Sequence, residues 1–110
     1  MVARRTRPAG GSSPAGEMAV AVVQADLLVP GCLSLKEKRS VVKGLLERAR
    51  SRFNASVAEV GAQDLLQRAT VGAALVANDR RLLSSEAEAL LAFLAGCPDV
   101  QVLDRQVEIL

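Results

Sequence analysis

The sequence predicts an α+β fold: two helices packed on one face of a four-stranded antiparallel sheet. Short β-branched segments alternate with two longer stretches of helical spacing, and the elements run β-α-β-β-α-β. A strand-helix-strand unit is used twice, which is the split β-α-β sandwich called ferredoxin-like. At 110 residues, half of them apolar, the chain has room for one domain with a modest core.

Residues 1–17, MVARRTRPAGGSSPAGE, carry no apolar period and are rich in Gly, Pro, Ser and Ala. They read as a disordered basic arm preceding a single domain over residues 18–110. Residues 19–29, AVAVVQADLLV, are short, β-branched and closed by Pro30-Gly31, as a buried strand would be. Ser34 then offers an N-cap with Glu37 three residues on, a capping box opening a helix from about Leu35 to about Arg52. Leu35, Val42, Leu45, Ala49 and Phe53 make its apolar stripe, while Lys36, Arg39, Lys43, Glu47 and Arg50 form another line. Strands are expected over 54–61 and 69–78. Asn78 and Asp79 are N-cap types for a second helix carrying Leu83, Ala87, Leu90 and Leu94, which Gly96 and Pro98 stop. Residues 100–110 form the last strand, whose apolar phase slips near Leu103 as at a bulge.

Composition excludes several functions. The chain has no histidine, so Ser-His and Cys-His nucleophilic schemes are absent. Cys32 and Cys97 lack CxxC spacing and leave a zinc site short of ligands, so no metal and no cofactor is expected. Reduced thiols are expected for both, in a cytoplasmic protein without a signal peptide or a membrane span. The strands hold no aromatic residue, which argues against base stacking on the sheet as in RNA-binding sheets of this topology. Asp26 and Glu59 are both expected on the open sheet face, on strands that are not neighbours, a poor arrangement for acid-base catalysis.

Charge is unevenly distributed. The formal net charge is +2, yet residues 34–53 hold seven cations against Glu37 and Glu47, whereas residues 54–110 hold four cations against eight acids. Three cations, Lys36, Lys38 and Arg39, open the first helix, where the positive end of the helix dipole disfavours each by ~0.3–1 kcal/mol. An external anion would relieve that opposition. Traced through the topology, Lys36, Lys38 and Arg39 should gather with Arg68 and the 61–68 connection at one end. Arg48, Arg50, Arg52, Arg80 and Arg81 should gather at the other. A plain solvated helix face, offset by Glu37, Glu47 and Asp79, is the alternative reading.

SLKEKRSVVKGL (Ser34–Leu45), RFNASVAEV (Arg52–Val60), QDLLQRATVG (Gln63–Gly72) and NDRR (Asn78–Arg81) together resemble the YlxP-like family of small bacterial proteins of uncharacterised function. The resemblance spans about residues 18–110 and implies a ferredoxin-like fold and a bacterial cytosolic protein, often encoded beside translation-initiation and ribosome-maturation genes. It implies no established activity and hence no catalytic residues. The chain departs from the family pattern at Gly61-Ala62-Gln63, where relatives tend to carry an Asp-His pair before Gln, and at Leu66, where an aromatic is common.

These readings converge on a non-enzymatic accessory factor binding structured RNA or a ribosomal subunit through phosphates. The candidate residues are Lys36, Lys38, Arg39, Lys43, Arg68, Arg80 and Arg81, with Gln63, Asp64 and Gln67 as loop candidates. The alternative is a homodimer or other oligomeric interaction module, pairing through the open sheet face, where Val20, Val22 and Leu28 surround Gln24 and Asp26, or through the edge strand 54–61. An acylphosphatase-like enzyme ranks last, since Pro30-Gly31-Cys32-Leu33 provides no arginine in the first strand-helix loop.

Overall fold

The computed structural model describes residues 17–110, so the expectations for the arm, Arg4, Arg5 and Arg7 included, fall outside the described residues except at Glu17. The elements are β1 (Ala19–Leu28), α1 (Leu35–Arg52), β2 (Ala55–Gly61), β3 (Arg68–Ala77), α2 (Arg80–Ala95) and β4 (Gln101–Ile109). The strands form one antiparallel sheet in the order β2-β3-β1-β4. This is the expected α+β ferredoxin-like sandwich, with α1 lying over β2 and α2 over β1, β3 and β4.

Alternation along each strand sorts its side chains between two environments. In β1, Ala19, Ala21, Val23, Ala25 and Leu27 are buried beneath the helices, and Val22 and Gln24 are exposed on the opposite face. Leu45, Leu83, Leu90 and Leu91 descend from the helices onto that layer, each worth roughly 1.5–3 kcal/mol when fully buried. Phe53, the C-cap of α1, meets Phe93 of α2 edge-on, with ring centroids 5.8 Å apart. Both rings therefore belong to the helical layer, leaving the open face without aromatics.

The phase slip at Leu103 is a bulge. Asp26 pairs with Asp104 and Leu27 with Val102, so Leu103 has no partner on β1. A second bulge, not anticipated from the sequence, lies at Val60 between the pairs Glu59–Val71 and Gly61–Thr70. After β1 the chain turns at Gly31, whose φ of +81° is left-handed backbone that glycine adopts without steric cost. Among the described residues, no helix is long and apolar enough to cross a membrane. Cys32 and Cys97 are both buried free thiols.

Candidate functional site

The first turn of α1 is fixed by its own polar groups. The Glu37 N–H donates to Ser34 Oγ at 3.1 Å, and the Leu33 N–H donates to the Glu37 carboxylate at 3.4 Å. This is a capping box whose return arm reaches one residue beyond the cap. Beyond it, the three cations of the sequence run separate.

Lys38 turns inward, and this corrects its place among the phosphate ligands. Its side chain is 0% exposed, because position 38 lies four residues before Val42 and seven before Leu45 and so shares their buried stripe. An ammonium has three donors, and Lys38 Nζ commits all of them: to the carbonyls of Ala62 at 2.9 Å, Gln63 at 3.0 Å and Arg68 at 3.1 Å. Glu59 Oε2 stands 3.3 Å from the same nitrogen and supplies the countercharge. That oxygen accepts no hydrogen bond, since the three carbonyls have taken the donors. Lys38 is thus a clasp on the β2–β3 loop, with nothing left to offer an external anion.

Glu59 is the second correction. Val57 is buried against the helices, so alternation turns Glu59 to the same side, away from the open face where the sequence had suggested it. The open face instead sets Asp26 directly across from Asp104, with Thr70 Oγ1 donating to Asp26 Oδ1 at 2.8 Å.

Lys36, Arg39 and Lys43 remain outward. Their i, i+3 and i+7 spacing lines them along one exposed side of α1, and among the described residues none of their side chains has an ion pair or hydrogen bond. Arg68, also exposed, opens β3, and its carbonyl is one of those held by Lys38. The loop candidates divide: Gln63 contributes a backbone carbonyl to the clasp, Asp64 is exposed, and Gln67 is a tie. The Gln67 carbonyl accepts from the Val29 N–H at 2.8 Å, while its Nε2 donates to the Cys32 carbonyl at 3.3 Å. The β1–α1 and β2–β3 loops are therefore bound into one end of the domain.

The other expected cluster does not assemble. Arg48 faces Asp99 beyond the C-terminus of α2 at 4.0 Å, and Arg52 stacks over Phe93 at 5.1 Å from the ring centroid. Arg80 stands at the opposite end of α2, about 20 Å along the axis from Phe93 at 1.5 Å per residue. There its guanidinium donates to the carbonyls of Ile109 and Leu110, both at 3.3 Å, so it serves the end of the chain. Arg50 donates to the Val57 carbonyl at 2.9 Å. Among the described residues, only Arg81 of this group has a side chain that meets no ion pair, hydrogen bond or ring.

Residues 20–107 match the model of a family described as a protein of unknown function (DUF503). The chain belongs to that family. Among DUF503 relatives it is similar to the uncharacterized protein YlxP of Bacillus subtilis (strain 168), with 41% identity over 68 residues covering 62% of this chain and 74% of the relative. The 20–107 match takes in every element from β1 to most of β4, hence the clasp and the outward cations alike.

Proposed function

We propose that this protein is a non-enzymatic accessory factor that binds structured RNA, in the setting of a ribosomal subunit, through phosphate contacts on the outer side of α1. The observation that carries the reading is the uncompensated line of Lys36, Arg39 and Lys43, with Arg68 at the adjoining strand end. Cations at i, i+3 and i+4 spacing repel one another, and carboxylates at the right offsets would relieve them. Only Lys43 has a carboxylate at such an offset, Glu47 at i+4, and among the described residues the two form no ion pair. Lys36 and Arg39 have no such carboxylate, and a polyanion with phosphates several ångströms apart matches such a line of charges better than a lone ion does. Such contacts position a backbone and read little sequence.

Filter binding of ribosomal RNA across a salt series tests this. Three to four phosphate contacts give a log–log slope of roughly −2 to −4, and the triple variant K36A/R39A/K43A flattens it. Affinity indifferent to salt, or unchanged in the triple variant, would sink the reading.

Pairing of copies through β2 has less support. The Val57 carbonyl is occupied by Arg50, the bulge at Val60 breaks the edge, and Glu59 places a charge on the inward side, all features that protect an edge strand. Face-to-face pairing of two open sheets would have to cover Asp26, Asp104 and Glu108, which the β1–β4 register sets together on that face.

A further inference from the structure

The end of the domain that Lys38 ties together displays apolar side chains that the phosphate reading does not use. Leu33 in the β1–α1 loop is 82% exposed, and Leu65 and Leu66 in the β2–β3 loop are 52% and 44% exposed. Leucines on a loose loop can fold back against the core, but these loops are held. Gln67, next to Leu66, grips the Cys32 carbonyl next to Leu33, and its own carbonyl accepts from Val29. Lys38 fixes the backbone on both sides of Leu65-Leu66, at Ala62 and Gln63 before and Arg68 after. Ala62 itself sits at a φ of +57°, left-handed backbone in which the Cβ of a non-glycine residue crowds the following carbonyl oxygen. A buried charge and a strained residue are both spent on keeping this loop in one shape, and that shape holds its leucines in water.

We infer that this tip is a protein-docking surface whose occupant is an acidic segment of another protein bearing leucine-sized apolar side chains. Charge complementarity selects the class. The exposed cations Lys36 and Arg39 follow Leu33 in the chain and Arg68 follows Leu66 by two residues, while these two segments carry two carboxylates, the exposed Asp64 and Glu37, the latter already engaged with the Leu33 N–H. Apolar anchors with a cationic rim call for the reverse pattern on the partner. The tip does not depend on the RNA reading, although the two surfaces share Lys36, Arg39 and Arg68.

The test is selection of a random 16-residue peptide library on the immobilised full-length chain, followed by affinity measurement for an enriched peptide. Enrichment of sequences combining Leu, Ile or Phe with Asp or Glu is expected. L65S/L66S should weaken the selected peptide at least tenfold with unchanged melting temperature, since both side chains are exposed, and R39A/R68A should weaken it several-fold. K38M, which touches no ligand, should also weaken it by loosening the loop. Enrichment of nothing, or of basic peptides, or equal affinity for L65S/L66S overturns the inference. So does loss of ribosomal RNA binding in L65S/L66S, which would give the tip to RNA. Sedimentation of the wild type with phosphatidylglycerol vesicles that is lost in L65S/L66S would give it to a lipid surface, with the same consequence. K43A, which lies outside the rim, should lower ribosomal RNA affinity, which concerns the proposed function, and leave peptide affinity unchanged; weakened peptide binding in K43A overturns the inference.

Discussion

The two helix starts read alike in the sequence and are built for different ends. Each has a capping oxygen followed by cations: Ser34 before Lys36, Lys38 and Arg39, and Asp79 before Arg80 and Arg81. At α2 the cap is itself a carboxylate, accepting from the Arg81 N–H at 2.9 Å and the Leu82 N–H at 3.3 Å, so the amide dipoles and the arginines meet a negative charge at once. Arg80 is then drawn back to the end of the chain. At α1 the cap is a neutral hydroxyl, the first-turn carboxylate of Glu37 is turned back to the Leu33 N–H, one cation is buried as a clasp, and among the described residues Lys36, Arg39 and Lys43 have no ion pair. The α2 start closes on the protein's own groups, while the α1 start remains open on its surface. A count of cations per helix cannot make that distinction; the sign of the cap and the phase of each cation on the helix can.

The largest test of this contrast is at Lys38. Removing it takes the ammonium from the carbonyls of Ala62, Gln63 and Arg68, of which Ala62 keeps the Leu65 N–H, and strands the carboxylate of Glu59; breaking a buried pair from one side costs about 3–5 kcal/mol. Urea unfolding of K38M should register a loss of that order. E59Q should cost less, on the order of 1–2 kcal/mol, because the ammonium keeps its three carbonyls. In the double variant K38M/E59L the stranded carboxylate is gone but the carbonyls still lack the ammonium, so stability should return only in part. Full recovery would mean that the charge pair, and not the carbonyl cage, is what Lys38 is for.

Why Lys38 escaped the sequence reading is instructive. The order of elements, the capping box, the Leu103 bulge and the open-face positions of Val22, Gln24 and Asp26 all follow from local patterns of period and turn chemistry. Lysine enters such a reading as polar, so the stripe of α1 was drawn from Leu35 to Val42 without it. Spacing alone does carry the signal: 38, 42, 45 and 49 are one buried line. What completes the explanation is non-local, since the cage comes from residues 24 to 30 positions away. Glu59 failed for a related reason, its face being fixed by alternation with Val57 and its partner lying on another element. The supposed gathering of Arg48, Arg50, Arg52, Arg80 and Arg81 treated each arginine as sitting at its backbone position, whereas long side chains travel to Asp99, Val57, Phe93 and the last carbonyls.

The caps give the next effect. D79A should cost about 1–2 kcal/mol, because it removes the oxygen that accepts from two N–H groups and exposes Arg80 and Arg81 to an uncompensated helix start. S34A should cost about 1 kcal/mol at most, with Glu37 still bonded to the Leu33 N–H. Thermal unfolding of the two single variants side by side checks the order. Equal losses would show that the charge of the cap carries no weight at α2.

The smallest effects are the most discriminating, because they should cross. R80A removes two exposed charge-assisted hydrogen bonds to Ile109 and Leu110, a change on the order of 0.5–1 kcal/mol. It should show as faster amide exchange at the end of β4, where Leu110 also exchanges hydrogen bonds with Val20, and should leave RNA affinity as it was. R39A removes a side chain with no partner among the described residues, so its stability should stay within about 0.5 kcal/mol of wild type or rise slightly as repulsion with Lys36 and Lys43 is relieved. Its ribosomal RNA affinity should fall and its salt slope should lose about one unit. Stability and binding are then separable at two arginines that the sequence treats alike. If both variants lower RNA affinity equally, the two helix starts do not differ in the way their caps imply, and the phosphate surface extends around the domain to Arg81.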